Sequence, residues 1–282
     1  MAVAADEERT TDIRRFALLT EYDGSQFFGW QKQAHHRTVE HELQKVLTRL
    51  VQDPGIVVYG CSRTDTGVHA KGHVSHFSAQ TSIPVNRLPM ALNSLLPADI
   101  CVRDAAIVSP GFHARYDVIG KRYRYQIWNH PIRPAISRRE MAHVPGPFSV
   151  QRVIEALPLL VGRKDFRAFC DTGGSYHSTI RTIQRIRLTS SGSLLRIDVQ
   201  GDGFLYHMVR IIAGTLVAVG QRKIEPAAVE SIIQTGDRRL AGKTMPAQGL
   251  CLEDVFYKQP LFADHTKPNE SECDIDVQYA ME

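Results

Sequence analysis

The segment CSRTDTGVHA, residues 61–70, gathers several polar side chains that could do chemistry into one short stretch. Asp65 is the reactive candidate among them, because a carboxylate with an unperturbed pKa near ~3.9 is ionised at neutral pH and needs no general base to activate it. The same letters are also typical of a turn, since Asp, Thr and Gly supply side-chain hydrogen bonds and a permissive backbone. The segment alone therefore leaves two interpretations of Asp65, a turn residue and a nucleophile.

A second D-T-G triplet at residues 171–173 matches the triplet that begins at Asp65. Two aspartates that share one proton are the machinery of aspartic proteases, and such a pair needs an apolar, uncharged setting. Arg63 lies two residues before Asp65, and Arg167 lies four residues before Asp171. Each arginine favours an ionised carboxylate, so the flanking charges argue against a protease.

Three histidines follow Asp65, and His69, His73 and His76 would share one face if the segment were helical. Gly72 and the strand-like stretch HVSHFSA interrupt that face, and no nearby carboxylate or cysteine completes a ligand set. The five cysteines are widely spaced without a C-x-x-C pair, which indicates neither a thiolate metal site nor a disulfide framework. We interpret His73 as a loop residue and His76 as a strand residue, with no metal bound.

The composition is that of a globular protein of 282 residues, of which 43% are hydrophobic and 23% charged. The first 15 residues are charged, and no apolar run approaches the ~18 residues that a membrane helix needs, so we expect a soluble cytoplasmic protein. The net charge of +4 is unevenly distributed, because residues 261–282 carry six acidic residues and one lysine, which leaves +9 on residues 1–260. A body with this charge attracts polyanions such as nucleic acids.

Hydrophobic periodicity predicts the elements that must position these residues. In the first half it predicts strands over 16–22, 56–61, 73–79 and 100–107, with helices from Thr38 and over 85–96. In the second half it predicts strands over 123–128, 182–189, 194–200 and 250–257, with helices over 150–161, 204–219 and 227–234. The order strand, helix, strand, strand, helix, strand is the split βαβ, or ferredoxin-like, arrangement, and the element order predicts a second copy of it in the second half.

The predicted fold is therefore α+β, with two ferredoxin-like domains and a cleft between them. We place the N-terminal α/β domain, which carries the Asp65 segment, at residues 16–109 and the C-terminal α/β domain at residues 110–260. A polar segment, residues 1–15, precedes them. Residues 261–282 lack periodicity and are rich in acidic residues, so we expect a flexible acidic tail there.

Five ordered blocks carry a more specific signal than any single motif. They are EYDGSQFFGWQKQ (21–33), SRTDTGVHAKGHVSHF (62–77), FHARYDVIGKRYRY (112–125), FLYHMVRIIAGTL (204–216) and GLCLEDVFY (249–257). In order and spacing the chain resembles the TruA-type tRNA pseudouridine synthases. The resemblance implies two domains joined through a continuous, mainly antiparallel sheet, usually in a homodimer whose central cleft receives the anticodon arm of tRNA. It also implies isomerisation of uridine to pseudouridine at positions 38, 39 and 40 of that arm.

The resemblance also implies a role for each matching residue. Asp65 would be the catalytic aspartate, Arg210 would pair with it, and Tyr123 would stack against the target base. Arg63 would fill the gap left when the uridine leaves the stacked stem, and Leu250 would wall the base pocket. Whether Asp65 adds to the base, adds to the sugar or removes a sugar proton stays open at this point. No cofactor is expected, because the isomerisation is redox-neutral and the chain has no phosphate-binding loop.

Arg210 also stands out by its pattern alone. With His207 and Gly214 it forms the non-apolar stripe of an otherwise apolar helix, so it either faces solvent or is buried beside a carboxylate. In KRYRYQ, strand alternation sends Tyr123 and Tyr125 to one face and the two intervening arginines to the other. Two small departures from the family, Ser62 for glycine and Thr66 for alanine, could add a hydrogen bond near Asp65.

The remaining basic residues are candidates for phosphate contacts that position RNA without reading its sequence. They are Arg115, Lys121, Arg122, Arg124, Arg133, Arg138, Arg139, Arg163, Lys164 and Arg167. Residues 171–176 have the composition of a mobile loop that could close on the RNA. The competing hypotheses are a catalytically silent tRNA-binding or folding protein and a synthase for other RNA positions. Asp65, Tyr123 and Arg210 together disfavour the silent protein, because binding a polyanion does not require an aspartate.

Overall fold

The computed structural model describes residues 12–174, 177–262 and 274–278, and for the last of these ranges the backbone pairing alone. Its strands are β1 (Arg14–Tyr22), β2 (Tyr59–Gly60), β3 (His69–Ala79), β4 (Ile100–Val108), β5 (Val118–Trp128), β6 (Ala142–His143), β7 (Gly162–Asp165), β8 (Ile180–Ser191), β9 (Leu194–Gly201), β10 (Leu250–Tyr257) and β11 (Asp274–Gln278). Its helices are α1 (Val39–Val51), α2 (Leu88–Asn93), α3 (Val150–Leu160), α4 (Met208–Gly220) and α5 (Ala228–Thr235).

The described strands form one sheet in the order β11-β8-β9-β5-β10-β3-β1-β4, and β2, β6 and β7 pair with β3, β5 and β8. Every strand pair is antiparallel except β10 with β3 and β5 with β6. The predicted α+β class with a continuous, mainly antiparallel sheet is confirmed. The parallel pairing of β10 with β3 joins the two halves of the chain through Cys251 opposite His69 and Leu252 opposite Ala70.

Burial explains why the central elements form where they do. In β1, Phe16, Ala17 and Leu18 are fully buried, as expected of a strand that has a neighbour on each side and helices packed against the sheet. Helix α4 is apolar almost all round, and most of its residues are buried against α3, β5 and neighbouring segments. This buried helix carries Arg210.

Two predictions around the Asp65 segment were wrong in their boundaries. The strand expected over 56–61 is reduced to Tyr59–Gly60, because Ile56 and Val58 are buried without joining the ladder. Strand β3 begins at His69, so His73 is a strand residue and not a loop residue. His73 is fully buried, and its ring stacks on Trp30 with 3.6 Å between centroids, a packing that periodicity does not detect in a polar residue.

The expectation for residues 261–282 needs a partial correction. Residues 263–273 and 279–282 lie outside the described residues, as do residues 1–11. Asp274–Gln278 forms strand β11, which pairs antiparallel with residues 185–189 of β8. The alternation Asp-Ile-Asp-Val has the period of a strand, but the prediction of a flexible tail used only the overall composition and did not detect it. No helix in the described part of the chain is long and apolar enough to cross a membrane.

Candidate active site

Hydrogen bonds from two other segments hold the loop between β2 and β3 that carries Asp65. The backbone N–H of Trp30 donates to the carbonyl oxygen of Thr64 at 3.1 Å, and the N–H of Gly67 donates to the carbonyl oxygen of Phe27 at 3.2 Å. The hydroxyls of Tyr22 and Thr64 form a buried hydrogen bond of 2.8 Å. The loop is therefore a tight turn that is also anchored on both sides of Asp65.

Gly29 permits this close approach. A Cβ atom at this position would lie 2.5 Å from the carbonyl oxygen of Thr64, and Gly29 has a φ of +82°. Both the contact and the left-handed backbone require a residue without a side chain. The EYDGSQFFGWQKQ block thus packs directly against the Asp65 loop and holds it in place.

Arg210 lies against Asp65, as the resemblance implies. Its Nη1 donates a hydrogen bond to Oδ2 of Asp65 at 3.2 Å, and its Nε donates to the carbonyl oxygen of Met245 at 2.7 Å. The two side chains are 14% and 20% exposed, so water screens the pair poorly. The non-apolar stripe of α4 thus brings its arginine to a carboxylate and not to solvent. The guanidinium fixes the direction of one oxygen of Asp65.

Asp65 has a second neighbour, His207, which precedes α4. The imidazole Nε2 lies 3.5 Å from Oδ2 of Asp65, and Nδ1 lies 2.8 Å from Oδ2 of Asp171. Arg238 and Thr244 also donate hydrogen bonds to Asp171, at 2.9 and 2.7 Å. Although burial opposes ionisation, the hydrogen bonds from Thr244, His207 and Arg238 lower the pKa of Asp171 to about 2. The two D-T-G aspartates are therefore neighbours of one histidine and do not share a proton.

Tyr123 is buried beside the same loop, with 7% of its surface exposed. Its hydroxyl forms a hydrogen bond of 2.9 Å with the hydroxyl of Ser62, and its ring packs edge-on against Phe204 with 5.3 Å between centroids. Burial raises the pKa of Tyr123, so the phenol is neutral throughout the physiological range. The serine that departs from the family pattern thus bonds to Tyr123, whereas Thr66 is exposed. Tyr125 is in the core, as expected.

A cavity of about 480 Å³ opens over these residues. Asp65, Arg63, Tyr123 and Leu250 line it, and Arg210 lies behind Asp65. The volume is in the range of small-molecule sites and is adequate for a nucleoside. Four of the five site residues expected from the sequence therefore share one cavity, and the fifth contacts it through Asp65.

The charge of the cavity is mainly positive. Arg63, Arg115 and Lys121 line it, and Asp65 is the one acidic residue among the described lining residues. Burial lowers the pKa of Lys121, because it disfavours the charged form of the amine. The cavity thus combines one carboxylate with cations suited to a phosphate.

Two of the arginines expected to contact phosphate are engaged in ion pairs on the opposite face of β5. Arg122 pairs with Asp254, and Arg124 pairs with Asp198 at 2.9 Å. They are less available to RNA than the exposed arginines at positions 133, 138, 139, 163 and 167. Strand alternation predicted which face they occupy but not their partners.

The three histidines after Asp65 do not converge. In strand β3, His69 and His73 have the same parity and His76 has the other, so His76 lies on the opposite face of the sheet. Within residues 12–174, 177–262 and the pairing segment of β11, no group of three or more His, Cys, Asp or Glu side chains could hold a metal ion.

Comparison with known proteins identifies the family. The sequence profile of the tRNA pseudouridine synthase family matches residues 18–117 and 156–258. This chain belongs to that family. It is 44% identical over 247 residues to tRNA pseudouridine synthase A of Ruminiclostridium cellulolyticum, a match that covers 87% of this chain and all of the relative. It is 45% identical over 238 residues to tRNA pseudouridine synthase A of Moorella thermoacetica, covering 84% of this chain and 96% of the relative. The protein is therefore an isomerase that acts on tRNA.

Sequence reasoning missed two features of this synthase. It assigned Asp171 to a mobile loop, whereas Asp171 is fixed by Arg238, Thr244 and His207; Ser175 and Tyr176 of the same stretch lie outside the described residues. It placed His207 inside a helix, whereas His207 precedes α4 with a φ of +60°. Both residues were visible in the sequence, one in the second D-T-G triplet and the other on the polar stripe of α4, but nothing local linked them.

Proposed function

We propose that this synthase isomerises uridine to pseudouridine at positions 38, 39 and 40 of the tRNA anticodon stem-loop, with Asp65 as the catalytic nucleophile. The observation that carries the proposal is the Asp65 carboxylate, which is held by Arg210 at the edge of a positively charged cavity of about 480 Å³. A site for a polyanion has no need of a carboxylate for binding, so the carboxylate is there for chemistry.

The reaction exchanges one glycosidic bond for another. The bond from ribose C1′ to uracil N1 breaks, the base turns, and C1′ bonds to C5, which loses its proton while N1 gains one. The Asp65 carboxylate is the nucleophile, and the bond that it forms to the nucleotide breaks again before pseudouridine leaves, so that the enzyme is regenerated. No oxidant, reductant or energy source enters this balance, so no cofactor is required.

The other residues of the cavity hold the base and the RNA. The buried ring of Tyr123 stacks against the detached uracil while it turns, and Leu250 forms an apolar wall of the pocket. Arg63 is exposed at the rim, where its side chain fills the gap that the extruded uridine leaves in the stem. Arg115 and Lys121 are placed to contact the phosphates on either side of the target.

We further propose two ferredoxin-like halves, a homodimer that binds the anticodon arm in its cleft, and action in the cytoplasm. The strand orders β4-β1-β3-β2 and β10-β5-β9-β8 support the first point, because in each half the first strand lies between the third and the fourth. The net charge of +9 on residues 1–260 supports the binding of tRNA. The dimer and the compartment are expectations from the family.

The test is tritium release from tRNA transcripts that carry 5-tritiated uridine, because bond formation at C5 expels the label. Asp65→Ala should abolish release while retaining tRNA binding, and Asp12→Ala, at an exposed aspartate remote from the cavity, should behave as wild type. Transcripts that lack uridine at position 38, 39 or 40 should release less label.

The competing hypotheses have separate signatures in the same assay. If folded wild-type protein binds several tRNAs and releases no tritium, the protein is a silent binder. If release persists after all three uridines are replaced, the enzyme acts on other positions. Unchanged release by Asp65→Ala removes Asp65 from the mechanism.

A further inference from the structure

His207 lies between two carboxylates that come from different parts of the chain. Its Nε2 is 3.5 Å from Oδ2 of Asp65, and its Nδ1 is 2.8 Å from Oδ2 of Asp171. The three side chains are 17%, 20% and 27% exposed, so all are largely withdrawn from water. The histidine thus connects the proposed nucleophile to a second acidic group that the reaction as described above does not use.

Asp171 is a fixed anion. Arg238 donates to its Oδ1 at 2.9 Å, and Thr244 donates to its Oδ2 at 2.7 Å. A carboxylate in this state can only accept hydrogen bonds, so the Nδ1 of His207 must be the donor. The other ring nitrogen, Nε2, lies 3.5 Å from Oδ2 of Asp65. Fixing Nδ1 on Asp171 therefore also fixes the side of the imidazole that Asp65 meets.

The backbone at His207 has an uncommon, left-handed conformation. Its φ of +60° and ψ of 5° are left-handed, which costs about 1 kcal/mol or more for a residue other than glycine. The ring of Tyr206 stacks on the imidazole with 3.7 Å between centroids. A helical backbone at position 207 would direct the imidazole elsewhere, so the conformation and the two carboxylate contacts belong together.

Both contacts to the nucleophile use the same oxygen. His207 and Arg210 each approach Oδ2 of Asp65. In the described part of the chain no hydrogen bond reaches Oδ1, which leaves that oxygen for the substrate. Because His207 and Arg210 both contact Oδ2, the carboxylate of Asp65 is held with Oδ1 turned away from them.

We propose that His207 is a positioning residue, which is fixed by Asp171, contacts Oδ2 of Asp65 and so directs Oδ1 at the nucleotide. This inference rests on the proposed function, because it requires Asp65 to be the catalytic group. The charged groups facing the imidazole are Asp65 from the loop before β3, Asp171 from the segment before β8, and Arg210 of α4, with Arg238 behind Asp171.

Two substitutions separate the two contacts of His207. In His207→Asn the amide nitrogen replaces Nδ1, so the bond to Asp171 is kept and the link to Asp65 is lost. In His207→Gln the amide nitrogen replaces Nε2, so the reverse holds. Asparagine also tolerates the left-handed backbone, which guards against misfolding. His41→Gln, at an exposed position of α1, is the matched control.

Single-turnover tritium release is measured, with tRNA affinity and thermal unfolding followed in parallel. We expect His207→Asn to lower the rate by about 10²-fold, the loss typical of a misdirected reacting group, without weakening tRNA binding. His207→Gln keeps a donor toward Asp65, so it should lower the rate less than His207→Asn does.

Asp171→Asn gives a second route that leaves the backbone of His207 untouched. Replacing the carboxylate by an amide weakens the contact that fixes Nδ1, so the single-turnover rate should fall while tRNA affinity is kept. A wild-type rate in His207→Asn would overturn the inference, as would a wild-type rate in Asp171→Asn. If Asp65→Ala is active in the same assay, the proposed function fails instead, so the two failures are distinguishable.

Discussion

Arg210 and Asp65 are 145 residues apart in the sequence, and yet Nη1 of one donates a hydrogen bond to Oδ2 of the other at 3.2 Å. The arginine comes from the most buried helix of the second half, and the aspartate comes from a loop of the first half. The bond therefore crosses the seam formed by β3 and β10, and the two halves of the chain must be in register for it to form.

Replacing Arg210 by lysine should impair both activity and stability. Arg210 uses two separate nitrogens, one for Asp65 and one for the carbonyl oxygen of Met245. A lysine has a single ammonium group and cannot reach both acceptors, so one of them loses its partner. The lost hydrogen bonds should lower the free energy of unfolding by about 1–3 kcal/mol and the rate by about 10²-fold. Urea denaturation and single-turnover tritium release measure the two effects.

Arg239→Lys is the matched control for that experiment. Arg239 pairs with Asp237, but its side chain is 88% exposed, so the substitution should leave stability close to that of the wild type. If the two substitutions lowered the free energy of unfolding equally, the buried position of Arg210 would not contribute to stability.

The hydrogen bond between Tyr123 and Ser62 should be visible as an energetic coupling. Tyr123→Phe and Ser62→Ala should each lower the free energy of unfolding by about 1 kcal/mol, because each leaves the other hydroxyl without its partner. The double substitution should cost about as much as one single substitution, since the bond is lost only once. Denaturation of the four proteins gives the coupling energy, and strict additivity would contradict it. Tyr123→Leu, which removes the ring, should abolish tritium release.

His73 should make the fold sensitive to acid. Burial lowers the pKa of His73 to about 3, whereas a histidine of the unfolded chain takes up a proton near ~6.5. The contribution of His73 to stability is therefore fully present above ~6.5 and is lost as the pH falls toward 3, at up to about 1.4 kcal/mol per pH unit. Urea denaturation at several pH values should show this slope, which His73→Gln should reduce. His41→Gln, at an exposed site, should keep the wild-type slope.

Gly29→Ala should damage the site although Gly29 itself does not line the cavity. The new methyl group would lie 2.5 Å from the carbonyl oxygen of Thr64, and an alanine at a φ of +82° costs about 1–2 kcal/mol by itself. We expect lower thermal stability and a lower rate of tritium release. Gly111→Ala is the control, since nothing lies within 4 Å of its Cβ position, and it should leave both quantities near wild type.

Periodicity predicted the elements whose side chains alternate or repeat plainly. The bounds of β10, Leu250–Tyr257, and nearly those of α3, Val150–Leu160, follow from the apolar pattern, because α3 buries one clear face and β10 begins with three buried residues. The pattern failed where a polar residue is buried, as at His69 at the start of β3, and where apolar residues lie outside the ladder, as at Ile56.

The sequence likewise indicated some residues of the candidate site and not others. The five sequence blocks marked Asp65, Arg63, Tyr123, Arg210 and Leu250, and the structure brings them together. His207 and Asp171 both belong to recognisable motifs, but the hydrogen bond between them depends on where α4 begins and on a left-handed backbone that no local pattern indicates. Side chains that meet across the seam are set by the tertiary fold, which short windows of sequence do not record.

The seam between β3 and β10 also fixes when in its own biosynthesis the protein can become active. Synthesis proceeds from the N-terminus, so Asp65 leaves the ribosome long before Arg210 and Leu250 exist. The Cys251–His69 and Leu252–Ala70 pairs that join the two halves can form only after residue 252 has been synthesised. A nascent chain that has reached residue 200 has the aspartate but neither its arginine nor the pocket wall, and it cannot modify the tRNAs that crowd the ribosome translating it.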